Sequence, residues 1–190
     1  VNRREQIIAT AATLFAERGF HGVSVGEIGA ACGISGPGLY KHFAAKDAIL
    51  AEMLVAISEE LLSVGRARVA SATSARAALE ALIDWHISFA LANKALIIVQ
   101  DRDWSSLPDA DREKVRTLQR TYVDLWAAQL RELDDSLSLV EARARAHATF
   151  GLLNSTPHSA FLPEAEMRAL LHEMAARALS LPLPPSPGTR

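Results

Sequence analysis

A chain of 190 residues, 49% of them apolar and with a mean hydropathy of +0.11, can bury a core large enough to fold without cross-links. Its one cysteine, Cys32, excludes an intrachain disulfide and a multi-cysteine metal cluster and suits a reducing, cytoplasmic setting. No apolar run reaches the ~20 residues needed to span a bilayer, and the first twenty residues read as an amphipathic helix rather than a signal peptide. The net charge of -2 excludes a globally basic nucleic-acid binder, yet residues 2–46 hold five positive and three negative groups, so the acidic excess lies in the remainder.

Alanine and leucine dominate, β-branched runs are scarce and apolar residues recur at three-to-four spacing, which predicts an all-α fold. Residues 3–18 place Ile7, Ile8, Ala11, Leu14 and Phe15 on one face, with Gly19 as the C-terminal cap. Ser24 opens a second helix through a capping box with Glu27, and Gly33 ends it. A third, short helix is predicted over 35–43, with Ser35 as N-cap and Pro37 in the first turn, where its missing N–H costs nothing. From Lys46 a long helix runs to about Val69, with Ile49, Met53, Ile57, Leu61 and Val64 on one stripe. After a Ser/Ala/Thr-rich junction, further helices are predicted at about 75–93, 94–102, 109–134, 138–155 and 164–181. Pro157 and Pro163 bracket a break, and the tail PLPPSPGTR reads as extended and flexible.

Two helices joined by a glycine turn, the second short and polar on its outer face, form a helix-turn-helix pattern whose second helix could enter a major groove. Ile28, Ala31, Ile34, Leu39 and Phe43 would form its apolar underside against Phe15. Ser35, Gly36, Gly38, Tyr40, Lys41 and His42 would face outward or lie at the rim, where hydroxyl, ammonium, imidazole and backbone N–H groups can meet phosphates.

At matching spacing, Leu14-Phe15, Gly19-Phe20, Ser24-Val25, Ile28, Gly33-Ile34-Ser35, Leu39-Tyr40, His42-Phe43 and Lys46 make the first fifty positions resemble the N-terminal domain of the tetracycline-repressor (TetR) family of bacterial transcription regulators. Gly29 and Cys32 depart from the family's usual alanines. The resemblance implies a DNA-binding domain over 1–46, an effector-binding and dimerisation domain over 47–181, and a flexible tail over 182–190. It also implies that Ser24 binds a phosphate and that Ser35, Gly36, Pro37, Gly38 and Lys41 read or clamp the groove. Tyr40 and His42 would contact the DNA backbone, and Lys46 would pair with a phosphate. The partners so implied are an operator duplex, a small-molecule effector and a second copy of the chain, with no membrane and no cofactor.

The larger region carries no comparable motif, but aromatic and polar residues gather at inward positions: Trp85, His86, Phe89, Trp104, Tyr122, Trp126, His147, Phe150, Asn154 and His158. A mostly apolar cavity with a few convergent polar groups is the usual form of a small-molecule site, and an ordinary aromatic core is the alternative. The stretch FGLLNSTPHSAF (150–161) resembles segments of actinobacterial family members that govern fatty-acid or steroid catabolism, which suggests an acyl-CoA or related lipid effector. His86, His147, His158 and His172 lack the i, i+4 spacing of a helical zinc pair, so no metal site is expected. The chain has no G-x-S-x-G elbow, P-loop or dinucleotide fingerprint, which argues against an enzyme. The leading expectation is a repressor that binds a pseudo-palindromic operator as a homodimer. The small residues of 138–155 and 164–181 would build its four-helix dimer interface. The alternatives are a helical carrier of an apolar ligand without operator binding and an enzyme of lipid metabolism.

Overall fold

The computed structural model describes residues 2–181, and the proposed tail at 182–190 lies outside them. The fold is all-α: α1 (Arg3–Arg18), α2 (Val25–Ala31), α3 (Gly36–Leu39), α4 (Lys46–Ser71), α5 (Ala75–Ala92), α6 (Lys94–Asp103), a 3-10 turn (Trp104–Ser106), α7 (Asp109–Leu133), α8 (Leu139–Leu153), α9 (Thr156–Ser159) and α10 (Glu164–Ala178). Packing groups them into two compact units, residues 2–60 with Asn93–Leu118, and Leu61–Ala92 with residues 119–181. The first unit therefore holds more than residues 1–46, because α6 packs directly on α1.

In the first unit Ile7, Ala11 and Phe15 of α1 are buried with Ile28, Leu39 and Phe43, while Ile8 and Leu14 are half-buried at the edge of that core. Ala31, expected on the underside, is exposed, and Ile34 is half-buried. Local chemistry sets the helix ends. Asn2 and Glu5 cap α1 reciprocally, as Ser24 and Glu27 cap α2. Gly33 adopts φ +69°, the left-handed conformation, so that its N–H reaches the Ala30 carbonyl at 3.0 Å and the Ile34 N–H reaches that of Gly29 at 2.9 Å. Gly29 serves the same turn: a Cβ there would lie 2.9 Å from the Ile34 carbonyl oxygen.

Helix α3 is shorter than the predicted 35–43. Regular helix ends at Leu39, and residues 40–42 continue as turns, after which the His42 and Phe43 amides both donate to the Leu39 carbonyl, at 2.9 and 3.1 Å.

In the second unit α10 packs on α5 and α8. Arg143 of α8 grips Asp124 of α7 through two hydrogen bonds of 2.6 and 3.0 Å. The break predicted between Pro157 and Pro163 contains the additional turn α9, whose Thr156 hydroxyl donates to the Ala90 carbonyl at 2.7 Å. Helix α10 stops at Ala178, short of 181, because the chain turns left-handed at Ser180 (φ 59°). The Ser180 and Leu181 amides then close on the carbonyls of Arg177 and Ala176, and Leu179 and Leu181 are buried.

Candidate nucleic-acid interface and effector site

The candidate DNA face is α3 with its flanks. Ser24, Ser35, Pro37, Tyr40 and Lys41 are exposed, and Gly36, Gly38 and His42 are half-buried. Tyr40 is 56% exposed while its neighbour Leu39 is fully buried, so the short helix is fastened from below and free above. Ser35 Oγ accepts from the Gly38 N–H at 3.1 Å. Gly36 comes within 4.0 Å of the Gly26 Cα, measured from where its Cβ would be, so the two helices cross closely.

Ser24 is engaged in capping: its Oγ accepts from the Glu27 amide at 3.2 Å and its hydroxyl donates to Glu27 Oε2 at 2.7 Å. The Ser24 amide, the Ser24 hydroxyl and then the Arg18 guanidinium pull the Glu27 carboxyl down to about 2.

Lys46 departs from the reading in which it stands at the rim for a phosphate. Its ammonium folds back to donate to the carbonyls of Phe20 and Val23 at 2.7 and 2.9 Å, and it lies 4.2 Å from the Phe20 ring centroid. It thereby fastens the α1–α2 loop to the start of α4.

Two arginines that sequence reasoning passed over hold this unit together. Arg4 pairs with Glu52 of α4, donates to the His42 carbonyl and lies 4.0 Å from the Phe43 ring centroid, joining α1, the end of the recognition turn and α4. Arg102 of α6 donates to the Phe15 and Ala16 carbonyls at the end of α1 and pairs with the buried Asp103 at 3.2 Å. Arg102 thereby adds side-chain donors to the carbonyl end of α1, where the Gly19 N–H also donates to the Phe15 carbonyl at 2.8 Å. The signal for Arg4 was present: consecutive arginines in the first turn oppose the helix dipole and need another reason to be there.

In the second unit, six of the ten proposed effector residues converge. His86 stacks nearly parallel to Phe150 at 4.8 Å and to Tyr122 at 5.8 Å. It meets Phe89 and Trp126 edge-on at 5.6 and 6.1 Å. Its Nε2 lies 3.0 Å from Asn154 Oδ1 and its Nδ1 lies 3.4 Å from the Tyr122 hydroxyl. Burial pulls the imidazole down to about 4, against the opposing hydrogen bond from Asn154, so it is neutral at pH 7. Burial likewise pushes the Tyr122 phenol up. Trp126 is fully buried, and among the described residues its indole N–H has no acceptor in hydrogen-bonding geometry. The Tyr122 hydroxyl is near enough for that N–H to work against burial on the phenol, short of a formed hydrogen bond.

The other four proposed residues do not join this group. Trp85 turns its indole to donate to the Leu61 carbonyl at 3.2 Å. Trp104 packs against the core of the first unit, with the Arg116 guanidinium 5.9 Å from its ring. His147 is exposed and touches the cluster only at Phe150, 6.3 Å away, and His158 is exposed on α9. A cavity of about 300 Å3 in the same unit, lined by Arg76, Leu130, Leu133, Leu137, Arg145 and Leu181 among others, involves none of the proposed residues.

Residues 7–53 match the family model described as bacterial regulatory proteins of the tetR family, and residues 72–158 match that of the tetracyclin repressor-like C-terminal domain. The chain belongs to the TetR family. The HTH-type transcriptional repressor KstR2 of Rhodococcus jostii is 33% identical over 129 residues, covering 67% of this chain and 63% of that protein. The chain thus spans just under two thirds of the length of that curated relative. Among solved structures, a TetR-family regulator from Bordetella parapertussis superposes with a TM-score of 0.81 at 23% identity, covering 94% of this chain and 93% of that one. AibR in complex with isovaleryl coenzyme A and operator DNA superposes with a TM-score of 0.70 at 21% identity, covering 91% of this chain and 97% of that one. The TetR fold assigns α1–α3 to the N-terminal helix-turn-helix and the later helices to the larger C-terminal part.

Proposed function

We propose that the protein is a ligand-responsive transcription regulator, a repressor that binds a pseudo-palindromic operator as a homodimer and is released by a small, apolar effector. The observation that carries this reading is the TetR-type helix-turn-helix, in which an exposed Tyr40–Lys41 pair sits above the buried anchors Leu39 and Phe43. Exposed Tyr40 and Lys41, the Ser35–Gly38 turn and half-buried His42 supply the phosphate and base-edge contacts. Ser24 and Lys46 remain candidates, Lys46 through the one ammonium proton not given to the two carbonyls.

Pairing of two copies through α8 and α10 is supported by the faces those helices leave uncovered. Val140, Ala144, Ala148 and Gly151 on α8 and Leu170 and Met174 on α10 are exposed, and among the described residues no atom outside its own helix turn lies within 4 Å of a Cβ built on Gly151. Two copies related by a two-fold axis would bring two recognition helices to two half-sites.

The aromatic cluster around His86 is the effector site favoured here, because it combines apolar walls with polar atoms that are not fully satisfied. An acyl thioester fits the apolar part of this reading, and AibR provides a case of the same fold held with isovaleryl coenzyme A and operator DNA. Any such ligand must favour one arrangement of the protein over another, since equal affinity for both shifts nothing. The test is retardation of the duplex upstream of the protein's own reading frame, with and without a panel of acyl-CoA esters. Saturable binding loosened by one member supports the reading. Binding that no member loosens defeats the lipid assignment, and absence of DNA binding defeats the regulator.

A further inference from the structure

The ring cluster in the second unit makes a chemical demand of its occupant. Trp126 is completely buried, yet among the described residues its Nε1–H has no acceptor in hydrogen-bonding geometry, a loss that a correctly placed oxygen would restore. Around it, His86, Tyr122 and Phe89 are each less than a tenth exposed and bear no charge at neutral pH. An ionised ligand head would be stripped of water with no cation in the cluster to compensate it. A neutral oxygen acceptor carried on an apolar body meets both conditions.

Access is set by Phe150. Ring separations of 4.8–6.1 Å among His86, Tyr122, Trp126 and Phe150 are those of direct contact, so a ligand enters only by displacing a ring. Phe150 is the half-buried ring of that set, next to the exposed His147, and it covers His86 face to face. His86, Tyr122 and Trp126 are buried, so Phe150 is the one of the four rings with a side toward solvent.

We propose that this cluster is a recognition site for an uncharged, carbonyl-bearing apolar ligand, in which Trp126 Nε1–H donates to the carbonyl oxygen and Phe150 swings aside to admit the ring or chain behind it. The proposal deepens the effector-site reading above and rests on it. Its test uses no DNA, so failure of operator binding and failure of ligand recognition are read separately. Any charged portion of a natural effector would lie outside the cluster, and specificity would come from the carbonyl. A site built to donate to an acceptor rejects an analogue that lacks one, because the donor is then buried unpaired.

The experiment titrates the full chain by calorimetry with acetophenone, ethylbenzene and benzoate, which share a ring and differ in bearing a neutral acceptor, no acceptor and a carboxylate. Acetophenone is expected to bind at least about tenfold more tightly than either of the others, a difference worth about 1.4 kcal/mol. It should also move the Trp126 indole N–H resonance, which ethylbenzene should leave in place. Trp126→Phe should reduce the preference for acetophenone over ethylbenzene to less than about twofold, and Phe150→Ala should tighten acetophenone binding. The parent's ligand series and indole resonance stand even if Trp126→Phe fails to fold. Equal binding of acetophenone and ethylbenzene, a preference for benzoate, or no binding of acetophenone to parent and Phe150→Ala would overturn the proposal. So would binding that leaves the Trp126 resonance unmoved, which would place the ligand elsewhere, such as the leucine-lined cavity near Leu130.

Discussion

The Lys46 ammonium donates to the Phe20 carbonyl at 2.7 Å while lying 4.2 Å from the ring centroid of the same residue. A second hydrogen bond, to the Val23 carbonyl at 2.9 Å, makes this side chain a tie between the loop after α1 and the start of α4. Charge-assisted hydrogen bonds contribute about 1.5–3 kcal/mol each when their acceptors are shielded, and less at a half-exposed site. Lys46→Met is therefore expected to lower stability by about 1–2 kcal/mol, measured by urea unfolding. An unchanged midpoint would return Lys46 to the role of a rim contact.

Tyr40 presents the opposite case. It is 56% exposed beside a fully buried Leu39, so Tyr40→Ala should change stability by less than about 0.5 kcal/mol. If it contacts the operator backbone, the same variant binds DNA several-fold more weakly. Lys41→Ala should do likewise and reduce the salt slope of binding by about one unit, as expected for one phosphate. Anisotropy titrations across a salt series check both, and parental affinity in either variant removes that residue from the interface.

Stability should fall on the acid side in two stages. His86 is held at about 4, chiefly by burial, against an ordinary 6.5. Between those values the unfolded imidazole binds a proton that the folded one refuses, so stability is fully present above 6.5 and is lost as pH falls toward 4, by up to ~1.4 kcal/mol per pH unit. Glu27, drawn from 4.5 to about 2 first by the Ser24 amide, adds a loss that begins near 4.5 and deepens toward 2. Urea midpoints against pH should therefore decline first between 6.5 and 4.5 and further below that. His86→Phe should flatten the upper stage and Glu27→Gln should reduce the lower one. A parent midpoint constant from pH 7 to 5 would mean that His86 is not held neutral.

Gly65, in the part of α4 that belongs to the second unit, packs closely on Tyr122 of the aromatic cluster. A Cβ there would lie 2.8 Å from Tyr122 Cε2 and 3.3 Å from Leu82 and Leu125 side-chain carbons. Gly65→Ala should destabilise by about 1–3 kcal/mol through overpacking, despite alanine's better helix propensity. Thermal unfolding checks the sign, and a stabilised variant would show that Tyr122 can yield freely.

Gly151 offers a test that separates folding from assembly. Among the described residues nothing outside its own helix turn lies within 4 Å of a Cβ at this exposed position, so Gly151→Leu should keep the parent's helix content. If α8 packs against a second copy, the leucine should drive that copy away and yield monomer by light scattering at micromolar concentration. A parent already monomeric there would remove the dimer.

Much of the helix order was legible because apolar spacing, capping boxes and glycine stops act locally: Ser24-Glu27 and Gly33 alone nearly define α2. The candidate DNA face was legible for the same reason, since Leu39 down and Tyr40 up follow from helical geometry. Trp104 and Trp85 were placed in the effector group because an inward position predicts burial without saying against which neighbours. Trp104 packs in the first unit, and Trp85 reaches the Leu61 carbonyl. The two carbonyl contacts of Lys46 were not legible, because its long side chain can fold back to loop carbonyls as readily as it can extend into solvent. The unpaired Trp126 N–H is invisible in sequence, as it depends on every acceptor that tertiary packing does or does not bring near.

Selection of bound duplexes from a random pool by the purified full chain most directly tests whether this TetR-family protein is an operator-binding regulator. A dimeric regulator should enrich one two-fold symmetric sequence, bound with an affinity that falls steeply as salt rises and weakened by Tyr40→Ala. Recovery of no common sequence, with equal and weak retention of all duplexes, would contradict operator recognition and leave the helical carrier of an apolar ligand as the better description.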